Sequence, residues 1–528
     1  MKSNSEKVKV YEICLVSIIG IILLIIPGLF LGVFSSGLHL VDDHEILGYV
    51  YEYSKGISVA ELVKYAVSHD IVNRFRPLYM AVKALLVPLF GDDLVKYELL
   101  KAFESVITFV FIYLNARKLK PFVCSRFVAL LFDCIVFIGY QSSIWWKLGT
   151  HEIQGGMLFA IGFFLIQKYL ETNKKAYVVW GLILFEIMIF YKENMFLMIP
   201  FAGIYILYAD IVDNKLSWSA VWSSIKNRII VYILLIILVA EALYGCLFII
   251  NPTDYKEGGY TLMSGIFDNE AWNNALHTDL KWFSRFGLLF VLILCTFFDE
   301  VKKLWKEIVL GLVFIAPQVL VYGKMGMTER YIFPASIGFA YLFVYVPIAS
   351  GILKNTRKKI YVCGMILLCL AHTRVMLREA DYYRFRGNGV QATADFISDT
   401  VNKDENVKVL SALEYFESNK TLEYYSILHS KDNMYFYHSW ETDHSCDPYI
   451  DRKYASHISL NEDEDRYQPE DMDVIVMYSN EDRHFTDTPD IDVSDYEYKR
   501  YGTLDIFVRK DSGIDFPDAD IAPLKINF

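Results

Sequence analysis

The stretch Leu40-Val41-Asp42-Asp43-His44-Glu45 puts three carboxylates and an imidazole side by side, directly after an apolar run of about twenty residues without a charge. Residue types at this spacing support two kinds of chemistry. In the first they start a helix: Asp42 caps it, Glu45 three residues on closes a capping box, and both favour the positive end of the helix dipole. In the second, Asp42 or Asp43 is a general base facing a lipid-borne substrate, or Asp43, His44 and Glu45 hold a divalent metal ion. Both readings are open from this stretch alone.

Other charged sets keep it company: Arg74-Phe75-Arg76-Pro77, His151-Glu152, Lys192-Glu193 and Glu329-Arg330-Tyr331. Each sits at the mouth of a short hairpin or at a helix start, where charges line a cavity more readily than a solvated surface. Carboxylates opposite Arg and Lys at a membrane face suit a phosphate-linked lipid substrate. The cations hold the phosphate as a leaving group, and a carboxylate takes the proton of an attacking hydroxyl. Plainer roles compete: Arg74 and Arg76 as interfacial anchors, Lys192 with Glu193 and Glu329 with Arg330 as local ion pairs, and His151-Glu152 as a helix cap after Gly149-Thr150. Trp145 and Trp146 are read as belt residues or a sugar platform, and Asn419-Lys420-Thr421 fits a glycosylation sequon.

Long apolar segments must position these residues. Apolar types make up 54% of the 528 residues and come in blocks, which excludes an ordinary soluble globule and implies a polytopic α-helical membrane protein. Basic loops alternate with acidic or aromatic ones, and that alternation predicts about eleven spanning helices. The first run, 11–34, follows Lys2, Lys7 and Lys9; it is longer than a signal core and reads as an uncleaved anchor. A first outer loop of about 35–96 comes next, with an amphipathic piece over 77–90 lying along the surface.

The net charge of -11 divides unevenly: residues 376–528 hold 16 basic and 33 acidic side chains, residues 1–375 hold 35 and 29. A transmembrane part, 1–375, is thus followed by an acidic extracytoplasmic part, 376–528. The tail reads as a small α/β domain with strands over 407–410, 473–477 and 504–508. Basic residues are scattered, so no nucleic-acid surface is implied. Seven of eight cysteines lie in or beside apolar runs and Cys446 stands alone in the tail, which excludes a disulfide framework and a Cys-based metal site.

A first span followed by an acidic pair, a proline-headed amphipathic helix ending Leu89-Phe90-Gly91, then Tyr191-Lys192-Glu193 and Glu329-Arg330-Tyr331, resembles the GT-C glycosyltransferase superfamily, in particular its protein O-mannosyltransferase-like members. The resemblance covers the membrane part in layout and the tail in character. It implies transfer of a sugar from a polyprenyl-phosphate carrier to a glycan, lipid or protein acceptor on the outer face. Asp42 or Asp43 would then be the base, Arg330 and Lys192 with Arg76 the donor-phosphate cations, and Glu193, His151, Glu152 and Tyr331 substrate-positioning groups. The chain departs from the commoner Asp-Glu pair by reading Asp-Asp-His-Glu.

The rival class is a transporter or flippase for a lipid-linked or anionic substrate, because Glu104, Asp133, Glu186 and Glu241 lie inside apolar runs. Against it, no inverted repeat and no pair of broken spans is apparent. The expectation is a membrane glycosyltransferase with its N-terminus cytoplasmic, its C-terminal part extracytoplasmic, and membrane lipids around it. Low Arg relative to Lys and the absence of targeting signals fit a bacterial plasma membrane.

Overall fold

In hydrocarbon every backbone polar group must bond within its own segment, so apolar runs of this length fold as helices. The computed structural model describes residues 9–70, 75–149, 151–212, 217–245, 287–322, 329–404, 406–413, 416–430, 435–439, 455–458, 469–481, 491–519 and 521–524. Most of these residues are helical. Five helices are long and apolar enough to cross a membrane: Val10–Leu31, Leu94–Lys118, Glu152–Thr172, Asn194–Ile211 and Asn355–Lys403. Two bent pairs raise the number to seven if each is one span: Arg126–Phe137 with Tyr140–Trp146, bent by 70°, and Trp218–Asn227 with Ile229–Tyr244, bent by 81°. Eleven spans are therefore not reached among the described residues. Shorter apolar helices, Pro77–Phe90, Gly287–Thr296 and Phe333–Ala349, account for part of the difference.

The stretch 140–149, which holds Trp145 and Trp146, is packed structure. After Phe137 the chain folds back so that the Trp145 indole stacks on the Phe137 ring, centroids 4.7 Å apart, and donates its N–H to the Phe137 carbonyl at 3.0 Å. Both Trp145 and Trp146 are buried, so neither is a belt residue. An indole with a satisfied N–H is stable in a core, as that of Trp145 is; the Trp146 ring is enclosed beside it, its N–H without a hydrogen-bond partner among the described residues.

The helices sort their charges to two ends. At one end Glu12 accepts from Tyr113 Oη at 2.7 Å, Arg117 Nε at 2.9 Å and Arg126 Nε at 2.9 Å, tying the first helix to two others. The candidate site residues lie at the other end.

The last long helix, Asn355–Lys403, runs 49 residues without a break, and the change of composition at residue 376 falls inside it. Beyond it comes a six-stranded sheet: β1 (Lys408–Ser411), β2 (Tyr435–Ser439), β3 (Ala455–Ile458), β4 (Val474–Tyr478), β5 (Tyr496–Tyr501) and β6 (Leu504–Arg509). Its order is β3-β2-β1-β4-β6-β5. Strands β1 to β4 are parallel, and β6 returns antiparallel to β4 through the β5–β6 hairpin, where Gly502 has a φ of +59°. The three expected strands thus sit within a residue of β1, β4 and β6. Val390, Ile397 and Val401 of the long helix share one core with Val409, Val474 and Ile506 of the sheet and with Leu38, Leu40 and Leu47 of the first loop. Asn419 of the sequon is buried, donating to Leu413 O at 2.6 Å, which leaves it no access to a glycosylating enzyme.

Gly389 lets the long helix touch the β5–β6 hairpin, because a Cβ there would run into the Tyr501 carbonyl and Gly502. Gly389→Ala is expected to lower stability by about 1–3 kcal/mol, seen as a lower Tm in detergent. Gly364→Ala in the same helix meets only Leu289 at 3.7 Å and should hold or raise the Tm, by up to about 1 kcal/mol of helix propensity.

Candidate functional site

The segment that leads into the Asp43–Ser54 helix is held from several sides. Leu40 (φ 55°) and Asp42 (φ 57°) both adopt the left-handed conformation, which costs a residue with a Cβ roughly 1–2 kcal/mol. His39 secures the turn. Its Nδ1 accepts from Leu148 N–H at 3.2 Å; its Nε2 lies 2.9 Å from Ser36 Oγ, whose own proton goes to Val33 O at 2.7 Å. The ring is therefore neutral with its proton on Nε2. Burial, with Lys101, Arg386 and Lys147 nearby, pushes its pKa well below the usual histidine range. Glu98, 3.9 Å from Nδ1, is a neighbour of this ring rather than its hydrogen-bond partner.

The helix start does not use the expected capping box. Asp42 occupies the cap position without a side-chain cap hydrogen bond. Asp43 accepts the N–H groups of His39 and Leu40 on Oδ2, the second at 2.7 Å, while its Oδ1 is buried with no hydrogen-bond partner among the described residues. Burial raises its pKa to about 7 against the pull of those two N–H groups. Glu45 reaches away from the helix start to Arg76 Nη2 at 2.8 Å and Lys83 Nζ at 2.5 Å. Burial alone would raise the Glu45 pKa, but the two cations outweigh it and hold the carboxyl well below the usual range. His44 is pushed down by burial.

The Pro77–Phe90 helix is bounded as its sequence suggests, with Pro at its first turn and Gly91 after its end. Arg76, Tyr79 and Lys83 follow at spacings of three and four, so one face carries all three. The Arg76 guanidinium lies 5.3 Å and the Lys83 ammonium 4.6 Å from the Tyr79 ring centre. Tyr79 donates its hydroxyl to Gly149 O at 2.8 Å. Gly149 in turn fits directly against Val41 and Asp42, where any side chain would collide.

The same tyrosine ring connects to the second cluster. Its centroid is 4.4 Å from that of His151, and buried Lys192 donates to His151 Nε2 at 3.0 Å and to Glu152 Oε1 at 2.7 Å. Lys192 also stands 5.4 Å over the Tyr331 ring. Thus Asp42, Asp43, His44, Glu45, Arg76, His151, Glu152, Lys192 and Tyr331 do come together. Lys192 finds Glu152 across the bundle, and His151 makes no side-chain cap. Arg74 lies outside the described residues, as do the side chains of Glu193 and Arg330, whose backbones fall in the turns Glu193–Met198 and Glu329–Ile332.

Lys83, Tyr79 and His39 were not anticipated as site residues. For the first two the signal was present, since the spacing from Arg76 places them on its face. His39 carries no such mark. Among the described residues no three His, Cys, Asp or Glu side chains converge as metal ligands. Glu45 is committed to two cations and Asp43 to backbone N–H groups, so the set Asp43, His44 and Glu45 does not fit a metal ion.

Fold and site together define a mostly helical chain with several membrane-length helices and a buried charged cluster at one end of them. No protein-family model matches the chain, and no curated protein matches it.

Because the folded pKa of Asp43 is raised, the native state binds the extra proton between about pH 4 and 7. Stability from this group therefore falls as pH rises through that window and is flat above it. The shift is worth up to about 4 kcal/mol. Glu45, His39 and His44 are lowered and act in the opposite sense, so the difference between wild type and Asp43→Asn isolates the group. The variant should gain on wild type in Tm at pH 8 and lose about two-thirds of that gain by pH 5, as followed by thermal unfolding in detergent.

Proposed function

We propose that the chain is a polyprenyl-phosphate-dependent membrane glycosyltransferase. The observation that carries this reading is the continuous cluster from Asp42 and Glu45 through Arg76, Lys83 and Tyr79 to His151, Lys192 and Glu152. It brings carboxylates and cations to the same end of the helices, as transfer from a phosphate leaving group requires.

In this reading Asp42 accepts the proton of the acceptor hydroxyl as its oxygen bonds to the anomeric carbon. The bond from that carbon to the phosphate oxygen breaks, and the electron pair leaves with the polyprenyl phosphate. Lys192 and Arg330 hold that phosphate, with Arg76 in support. Asp43, its Oδ2 held by two backbone N–H groups, keeps the strained turn in place. Glu193, His151, Glu152 and Tyr331 position substrate. The site then lies on the outer face of a bacterial plasma membrane, with about eleven spans, a cytoplasmic N-terminus and the sheet region extracytoplasmic. The acceptor is a glycan, lipid or protein hydroxyl.

One observation favours a second reading, transport. Asp133 is fully buried in the Arg126–Phe137 helix, and neither of its carboxyl oxygens has a hydrogen-bond partner among the described residues. An intramembrane acid of this kind is a default candidate for an ion path.

The two readings separate in one experiment, transfer of radiolabelled sugar from polyprenyl-phosphate donors by the purified protein in lipid. Asp42→Asn should lower turnover by about 10²–10⁴-fold, the span of a lost general base, while Asp133→Asn leaves it within a few-fold. No transfer by wild type, with substrate uptake into vesicles abolished by Asp133→Asn, would replace the enzyme with a transporter.

A further inference from the structure

With Trp145 and Trp146 enclosed in the core, the interfacial tryptophans have to be sought elsewhere. The Trp218–Asn227 helix supplies two. Trp218 is 89% exposed and Trp222 69% exposed, and together with exposed Lys226 they follow one another at spacings of four along a single stripe. Ser217 caps the helix by accepting the Ala220 N–H at 3.3 Å, so the segment is a defined element and not a fraying end. Its other side is fastened to the bundle: buried Ser224 donates to Asp210 at 2.7 Å, and Arg228 grips the same carboxylate through Nε at 2.8 Å and Nη2 at 3.1 Å.

Three placements say what covers the exposed stripe. First, the helix turns by 81° into Ile229–Tyr244, whose Ile230, Ile233, Ile236 and Ile237 face outward as residues against lipid tails do. An amphipathic helix at nearly a right angle to such an apolar helix lies in the plane of the membrane surface. Second, the level is fixed. The Arg228 guanidinium stacks 4.9 Å over the Tyr169 ring, and Tyr169 stands seventeen residues along the helix that begins at Glu152. At about 1.5 Å per residue this is about 26 Å from the charged cluster, close to the thickness of a hydrocarbon core. Third, exposed Lys174 and Lys175 follow that same helix and share this end with Lys226. Indole rings with a polar N–H and an apolar body settle at the headgroup level, and lysines beside them favour anionic lipid.

We infer that Trp218–Asn227 is an in-plane anchor whose Trp218, Trp222 and Lys226 seat in the headgroup layer of an anionic leaflet, on the face opposite the candidate site. The inference rests on the chain being membrane-spanning and is independent of the catalytic reading.

The test uses the full chain carrying 5-fluorotryptophan, in nanodiscs of phosphatidylcholine with or without phosphatidylglycerol. The two resonances are assigned by Trp218→Phe and Trp222→Phe. A spin label near the lipid glycerol backbone should broaden both signals several-fold more than an aqueous gadolinium chelate does, and phosphatidylglycerol should widen that ratio. Should the chelate broaden them more than the lipid label, the helix lies in water and the inference fails. Lys226→Glu keeps both indoles and serves where a Phe variant does not fold: it should remove the gain from phosphatidylglycerol. An undiminished gain would overturn the assignment to anionic lipid. The enclosed Trp145 and Trp146 provide signals on which neither agent should act strongly.

Discussion

A carboxylate removed from water needs its countercharges at hand, and Glu45 has two of them, Arg76 and Lys83, from a helix more than thirty residues further along the chain. Losing one partner of such a buried set typically costs about 3–5 kcal/mol, because the remaining charge is stranded. Here the pairing also joins the two halves of the first loop. It draws the Pro77–Phe90 helix under the Asp43–Ser54 helix, sets Tyr79 beneath both cations, and through Tyr79 reaches His151 and Lys192. Without that clamp the acidic stretch and the Lys192 cluster have no polar connection through Tyr79.

The turn before Asp43 is strained and heavily supported. Two left-handed residues with side chains, Leu40 and Asp42, lie within three positions of each other, and such strain persists only where the surroundings enforce it. The enforcing groups are modest individually: a neutral histidine between Ser36 and Leu148, a carboxyl on two backbone N–H groups, and Gly149, whose lack of a side chain lets it lie against Asp42. Each fixes a different direction of movement. Residues spent on holding a strained turn, rather than on relieving it, are characteristic of sites where the orientation of one side chain matters.

Much of the local structure was legible in the chain itself. The Pro77–Phe90 helix is announced by its proline and its trailing glycine, and β1, β4 and β6 by short β-branched runs between polar segments. The grouping of Asp42 with Arg76 and Lys192 at one end followed from loop charges alone. What could not be read were partners set by three-dimensional packing. Nothing near Glu45 in sequence marks Lys83 as its partner, and Lys192 pairs with Glu152, which lies far earlier in the chain on another helix. The buried tryptophans mislead for a related reason. Their composition suits an interface, and only the fold-back after Phe137 makes a core for them. Among the described residues five to seven helices reach membrane length, and the other apolar helices there are shorter, a matter of how the chain breaks and bends that hydropathy does not show.

The unbroken 49-residue helix Asn355–Lys403 has a mechanical consequence. At about 1.5 Å per residue it is a rod of about 74 Å. One stretch of it meets Ser36 and His39 at Gly387, and the next meets the β5–β6 hairpin at Gly389. Both contacts fall about two-thirds of the way along the rod, roughly 48 Å from its start and 24 Å from its end. In that last third Val390, Ile397 and Val401 share one core with Leu38 and Leu40 of the acidic turn and Val409 of the sheet. A tilt of the rod therefore carries the sheet and the turn that bears Asp42 together, as a single lever arm.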